Sequence, residues 1–131
     1  DALTVFDAVG FCKFMGLASD AQEISDIIAA VIGREFRVED FRKAGERIYN
    51  IERTFNIREG LTRTDDTLPA RLLEDPLPEG PAEGHVNNLE ILLDRYYEFR
   101  GWDRTTGKPT PEKLRELGLE DVIAQIYEGK K

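Results

Sequence analysis

A chain of 131 residues with a formal net charge of -8 has room for one real core, but it lacks the basic stripe needed to neutralise a nucleic-acid backbone. Its apolar share of 40% and charged share of 34% describe a soluble globular protein, and no apolar run is long enough to span a bilayer. The single cysteine excludes an internal disulfide and predicts a reducing, cytoplasmic compartment. Neither nucleic acid nor membrane is expected as a partner, since Lys130 and Lys131 at the tail are too few to form a basic patch.

The periodicity is helical wherever it exists. Residues 2 to about 14 read as a first apolar-rich helix with Leu3, Phe6 and Gly10 on one stripe. Asp20, with Glu23 three residues on, forms a variant capping box. Behind it Ile24, Ile27, Ile28, Val31 and Ile32 make one apolar face, and Gly33 supplies the stop. A third helix begins near Glu39 and runs to Gly60, with Phe41, Ala44, Ile48, Ile51 and Phe55 as a heptad-like seam.

Residues 61 to 86 break the pattern with Pro69, Pro76, Pro78 and Pro81, and a connection this long is expected to lie on a surface. Helix resumes near Asn88, presents Leu89, Leu92, Leu93, Tyr96 and Tyr97 on one face, and closes at Gly101, after which Trp102 is expected to plug the core. Thr110-Pro111 opens a short helix that Gly118 ends, and residues 119 to 127 form the last one. The fold class is all-α: about six helices, in lobes of about 1–60 and 87–128 joined by an extended Pro-rich loop.

Few residues announce chemistry by themselves. Cys12 reads first as a buried small hydrophobe, with a functional thiol as the alternative, because free cysteine packs well. Its neighbours keep that alternative open: Asp7 is a carboxylate five positions upstream, and Gly10 lets backbone approach a ligand closely. His85, the sole histidine, reads as a solvated loop residue, and zinc would need more Cys or His ligands than these two. Asp65-Asp66 reads as a turn or as a partner for Arg63 or Arg71. Arg42, Arg47, Arg53 and Arg58, alternating with Glu46, Glu52 and Glu59, read as a solvated helix face.

Taken in order, several segments carry a more specific signal. Asp7-Ala8-Val9-Gly10-Phe11-Cys12 is followed by Arg53-Thr54-Phe55-Asn56-Ile57-Arg58-Glu59-Gly60 and by Asp65-Asp66-Thr67-Leu68-Pro69-Ala70-Arg71. Tyr96-Tyr97, Arg100-Gly101-Trp102 and Leu117-Gly118-Leu119 complete the series. Over essentially its whole length the chain resembles the C-terminal part of the tungsten-pterin aldehyde ferredoxin oxidoreductases. The first segment matches a family motif of the form Asp-x-x-Gly-Leu-Cys, with Phe11 where leucine is usual.

The resemblance implies a helical C-terminal domain of a larger enzyme that oxidises aldehydes to carboxylic acids at a tungsten (or molybdenum) bis-pterin. Cys12 would be the last ligand of a [4Fe-4S] cluster that passes electrons to ferredoxin. Asp7 would accept hydrogen bonds from pterin N–H groups, and Gly10 and Phe11 would offer main-chain contacts. A cubane cluster takes four thiolates, and the family's upstream Cys-x-x-Cys-x-x-x-Cys segment is not in this sequence. This polypeptide alone is therefore expected to be metal-free and inactive, and to need the rest of the parent chain. The opening at Asp1 without a methionine fits an excised piece, and equally a processed terminus or a missing tag. The alternative from a different class is a stand-alone acidic helical protein-interaction module.

Overall fold

The computed structural model describes residues 1–127. Glu128, the expected end of the second lobe, lies outside that range, as do Lys130 and Lys131. The described residues form α1 (Ala2–Ala8), α2 (Ala21–Ile32), α3 (Val38–Arg58), α4 (Ala70–Glu74), α5 (Leu89–Arg100), α6 (Pro111–Glu116) and α7 (Ile123–Tyr127). Short 3-10 turns at Lys13–Leu17, Arg63–Asp65 and Glu120–Val122 link them. No strand occurs among the described residues, where the only bridge pairs Trp102 with Pro109. The all-α expectation holds, and no described helix is long and apolar enough to cross a membrane.

Local chemistry explains most of the boundaries. The Asp20 carboxylate accepts from the amides of Gln22 and Glu23 at 2.8 and 2.9 Å, and Glu23 returns the bond to the Asp20 amide at 3.1 Å. Thr110 caps α6 by accepting from the Lys113 amide at 3.2 Å, with Pro111 in the first turn. The first helix is shorter than its apolar pattern suggests. It ends at Ala8, because Gly10 turns to φ 74 and the chain re-forms only as a 3-10 turn.

Two apolar cores follow from these elements. Val5, Phe6, Ile24, Ile28 and Phe41 make the first, and Ile57, Leu114, Leu117, Leu119 and Ile126 make the second. The 21-residue α3, roughly 30 Å long at 1.5 Å per residue, supplies Phe41 to one and Ile57 to the other. Between them Trp102, 5% exposed, stacks on Tyr49 at a centroid distance of 6.0 Å and meets Tyr97 at 5.7 Å. Trp102 is thus the plug its position predicts.

Several residues that read as core face outward. Of the apolar face of α2 only Ile24 and Ile28 are buried, while Val31 is 79% exposed. On α3 the heptad seam fails at Ile51 and Phe55, both exposed, and the buried stripe instead runs through Asn50, Arg53, Thr54 and Ile57. The long connection is mostly exposed, with Leu72 at 42% and Leu77 at 48%. It holds the Arg63–Asp65 turn and α4, and the Asn87 amide pins its far end by donating to Leu72 O at 3.1 Å.

Candidate functional site

The segment from Asp7 to Cys12 is a helix end of a particular kind. The Phe11 amide donates back to Phe6 O at 2.8 Å, and the Gly10 amide donates to Asp7 O at 3.2 Å. These two bonds, with Gly10 left-handed, make a Schellman turn, and its usual hydrophobic contact is present because Phe11 packs against the core that holds Phe6. Gly10 is required by conformation rather than by space: a Cβ there would meet nothing within 4 Å. The outer face of the turn is therefore open to an incoming group.

The turn delivers the candidate residues to that open side. Asp7, Gly10 and Cys12 are exposed, and Phe11 is half-buried through its ring. Cys12 is extended, at φ -65 and ψ 128, and its carbonyl accepts from the Met15 amide at 3.0 Å to start the next turn. The bland reading of Cys12 as a buried hydrophobe is thus corrected: the thiol is exposed. Burial is expected because free cysteine packs well, but the turn at Gly10 ends α1 before Cys12 is reached. A thiol, a carboxylate and accessible backbone suit one wall of a metal–cofactor site. They do not close one, since no described group of three or more His, Cys, Asp or Glu is arranged to hold a metal ion.

A second constellation lies in the C-terminal half of α3. The Arg53 guanidinium grips Asp66 through two bonds of 2.7 and 2.5 Å, and its Nε donates to Gly107 O at 2.9 Å. Its plane lies 4.8 Å from the Trp102 ring centroid. The Tyr97 hydroxyl donates a short hydrogen bond to the same Asp66 carboxylate. Trp102 Nε1 donates to Asn50 Oδ1 at 2.9 Å, and Asn50 in turn donates to Glu46 O at 2.9 Å. Burial pushes the Asp66 carboxyl up, but the hydrogen bonds from Arg53 and Tyr97 outweigh it and hold the pKa below the usual carboxylate value. Burial, then the hydrogen bond to Asp66, pushes the Tyr97 hydroxyl up to about 12.

These residues are interlocked, and no half-exposed or buried described side chain is left with an enclosed polar atom unbonded. The network is a structural clasp. Charge alternation along α3 gave Arg53 as a solvated residue, and that reading is corrected: only 8% of it is exposed. Asp65 stabilises the turn, as one expectation had it, by accepting from the Thr62 amide at 2.7 Å, while Asp66 pairs with Arg53 rather than with Arg63 or Arg71. Arg63 instead donates to Glu90 and Asp94, both at 2.8 Å, and to Arg104 O at 2.7 Å, tying the connection to α5. Arg47 reaches across to Leu117 O. His85 is exposed on the rim of an open cleft of about 620 Å³ shared with Arg63 and Asn88.

Four of the quoted segments meet at this clasp, through Arg53, Asp66, Tyr97 and Trp102. The comparisons agree. The family model described as aldehyde ferredoxin oxidoreductase, domains 2 and 3, matches residues 1–119. The tungsten-containing aldehyde ferredoxin oxidoreductase of Pyrococcus abyssi is 48% identical over 124 residues, covering 94% of this chain and 20% of that protein. The protein of the same name from Pyrococcus furiosus is 45% identical over 128 residues, covering 97% of this chain and 20% of its own length. Among solved structures, the active-site complex BamBC of benzoyl coenzyme A reductase with 1,5-dienoyl-CoA superposes with a TM-score of 0.68 at 33% identity. That match covers 84% of this chain and 16% of the other. The chain spans 20% of the length of the curated relatives it matches. It belongs to the aldehyde ferredoxin oxidoreductase family, within the region of domains 2 and 3.

Proposed function

We propose that this chain is the helical C-terminal domain, residues 1–131, of a cytoplasmic oxidoreductase that converts aldehydes to carboxylic acids and delivers the electrons to ferredoxin. Its lobes, about 1–60 and 87–128, are joined by the long connection. Cys12 supplies one thiolate to a [4Fe-4S] cluster, while Asp7, Gly10 and Phe11 contact a tungsten or molybdenum bis-pterin. When bound, these groups supply the two-electron oxidation and its division into single-electron transfers.

The chain's own residues have narrower tasks. The Schellman turn leaves Cys12 exposed next to Phe11, which packs on the core that holds Phe6. The Asp7 carboxylate, exposed one turn earlier, accepts N–H donors of a heterocycle. Gly10, with free space on its outer side, admits close backbone approach. The single observation that carries the reading is this exposed turn, in which the family motif stands clear of the fold that holds it.

Identity of up to 48% with the aldehyde enzymes, against 33% with the benzoyl coenzyme A reductase complex, favours aldehyde oxidation over a related reduction. The interaction-module alternative is disfavoured by the apolar surface. Phe14, Leu17, Val31, Phe55 and Phe99 are each more than half exposed, a surface suited to burial against the rest of a parent chain.

The test is anaerobic purification of the full-length protein that contains this chain, with iron and tungsten quantified beside a Cys12→Ser variant. Stoichiometric cluster iron that is depleted in the variant supports the assignment. Full cluster iron in the variant removes Cys12 from the ligand set.

A further inference from the structure

Asp1 makes contacts beyond those of α1 itself. Its carbonyl begins α1 by accepting from the Thr4 amide at 3.1 Å and the Thr4 hydroxyl at 2.7 Å. Its side chain makes no capping bond and turns instead onto α5, where Nη1 and Nη2 of Arg100 each reach a carboxylate oxygen at 2.6 Å. Arg100 is itself 5% exposed. Its Nε donates to the Tyr96 hydroxyl at 3.0 Å, and its plane lies 4.3 Å from the Tyr49 ring centroid.

The backbone of Asp1 also lies against α3. A Cβ placed on Gly45 would lie 2.6 Å from Asp1 O and 2.9 Å from its carbonyl carbon. Those are backbone atoms, so no flexible side chain can give way. Asp1 therefore sits between a two-pronged ion pair and a helix surface with no room for a methyl group. A guanidinium–carboxylate fork fixes orientation as well as distance, which a lysine ammonium does not.

From this clamp α1 runs as a stiff lever of roughly 10 Å, at 1.5 Å per residue, to the turn that carries Gly10 and Cys12. We infer that Arg100 and Gly45 are positioning residues: by fixing Asp1 they set where the far end of α1 presents Cys12. The inference rests on the reading of Cys12 as a cluster ligand. It adds two residues that touch neither thiol nor cofactor and lie 33 and 88 positions from Cys12 (45 - 12 and 100 - 12).

The experiment uses the full-length protein, as wild type and as the Gly45→Ala, Arg100→Lys and Cys12→Ser variants. Each is assayed for iron release to a ferrous chelator and for the paramagnetic resonance signal and midpoint potential of the reduced cluster. Gly45→Ala and Arg100→Lys are expected to release iron about 10-fold faster, the usual loss when a ligand's support is disturbed. Both should also shift the resonance signal. Alanine is the better helix former, so a defect in Gly45→Ala reports displacement of α1 rather than a weakened α3. Arg100→Lys keeps the charge, so failure of lysine to rescue marks the fork itself. If Gly45→Ala does not fold, Arg100→Lys decides alone. Wild-type release rates, signal and potential in both variants would overturn the positioning role while Cys12→Ser still lost its cluster. A wild type without a cluster, or a Cys12→Ser variant that keeps it, would overturn the cofactor reading and this inference with it.

Discussion

Arg53 and Asp66 are thirteen residues apart and meet through two parallel hydrogen bonds of 2.7 and 2.5 Å, one partner inside a long helix and the other just past a 3-10 turn. The pair closes the loop that follows α3 back against that helix. Trp102 lies under the guanidinium and Tyr97 donates to the carboxylate, so a single contact gathers α3, the connection and the end of α5.

Arg53→Met should therefore destabilise the fold by about 3 kcal/mol, the cost of leaving one member of a buried pair alone. Urea titration followed by circular dichroism measures this. Combining it with Asp66→Leu should cost less than the two single changes added together, because no orphaned charge then remains.

The same clasp sets the pH limits of stability. The Asp66 pKa is lower in the folded state than its ordinary 3.8. The stabilisation is then fully present above that value and is lost as pH falls through the folded pKa. Tyr97 works in the opposite sense: raised from 10.0 to about 12, it stabilises below pH 10 and loses that contribution as pH rises towards 12. Thermal melts across pH should show both limbs, with Tyr97→Phe flattening the alkaline one and Asp66→Asn the acid one.

The exposed Cys12 thiol should react with a disulfide reagent without denaturant, one equivalent per chain. In a cluster-loaded full-length protein the same thiol should resist the reagent. Absorbance of the released thiolate measures both.

Gly10→Ala should destabilise by about 1 kcal/mol, the cost of left-handed backbone for an L-residue, with no steric part because the space around it is open. Gly107→Ala should cost more. There the backbone is also left-handed, at φ 69, and a Cβ would press on the Arg53 guanidinium.

Much of this was legible in the residues. The capping box at Asp20, the Thr110-Pro111 start and the Trp102 plug are local chemistry, and local chemistry reads directly from sequence. Arg53 was not legible, because its partner lies beyond a chain reversal that spacing does not encode. A faint signal existed, since Arg53 falls on one helical stripe with Asn50 and Ile57 rather than with Glu52. The extent of α1 misled for a related reason. The apolar pattern runs on to about Phe14, yet the turn at Gly10 ends the helix and Phe14 is exposed. The place of Cys12 was legible from the motif, its accessibility only from the turn.

The span of α3 has a mechanical consequence. With Phe41 seated in one core and Ile57 in the other, a continuous rod joins the two, and no hinge lies between them along that path. Loosening either end withdraws support from the other, so the two cores should open as a single cooperative unit. Slow amide exchange at Phe41 and at Ile57 would then report one shared opening free energy.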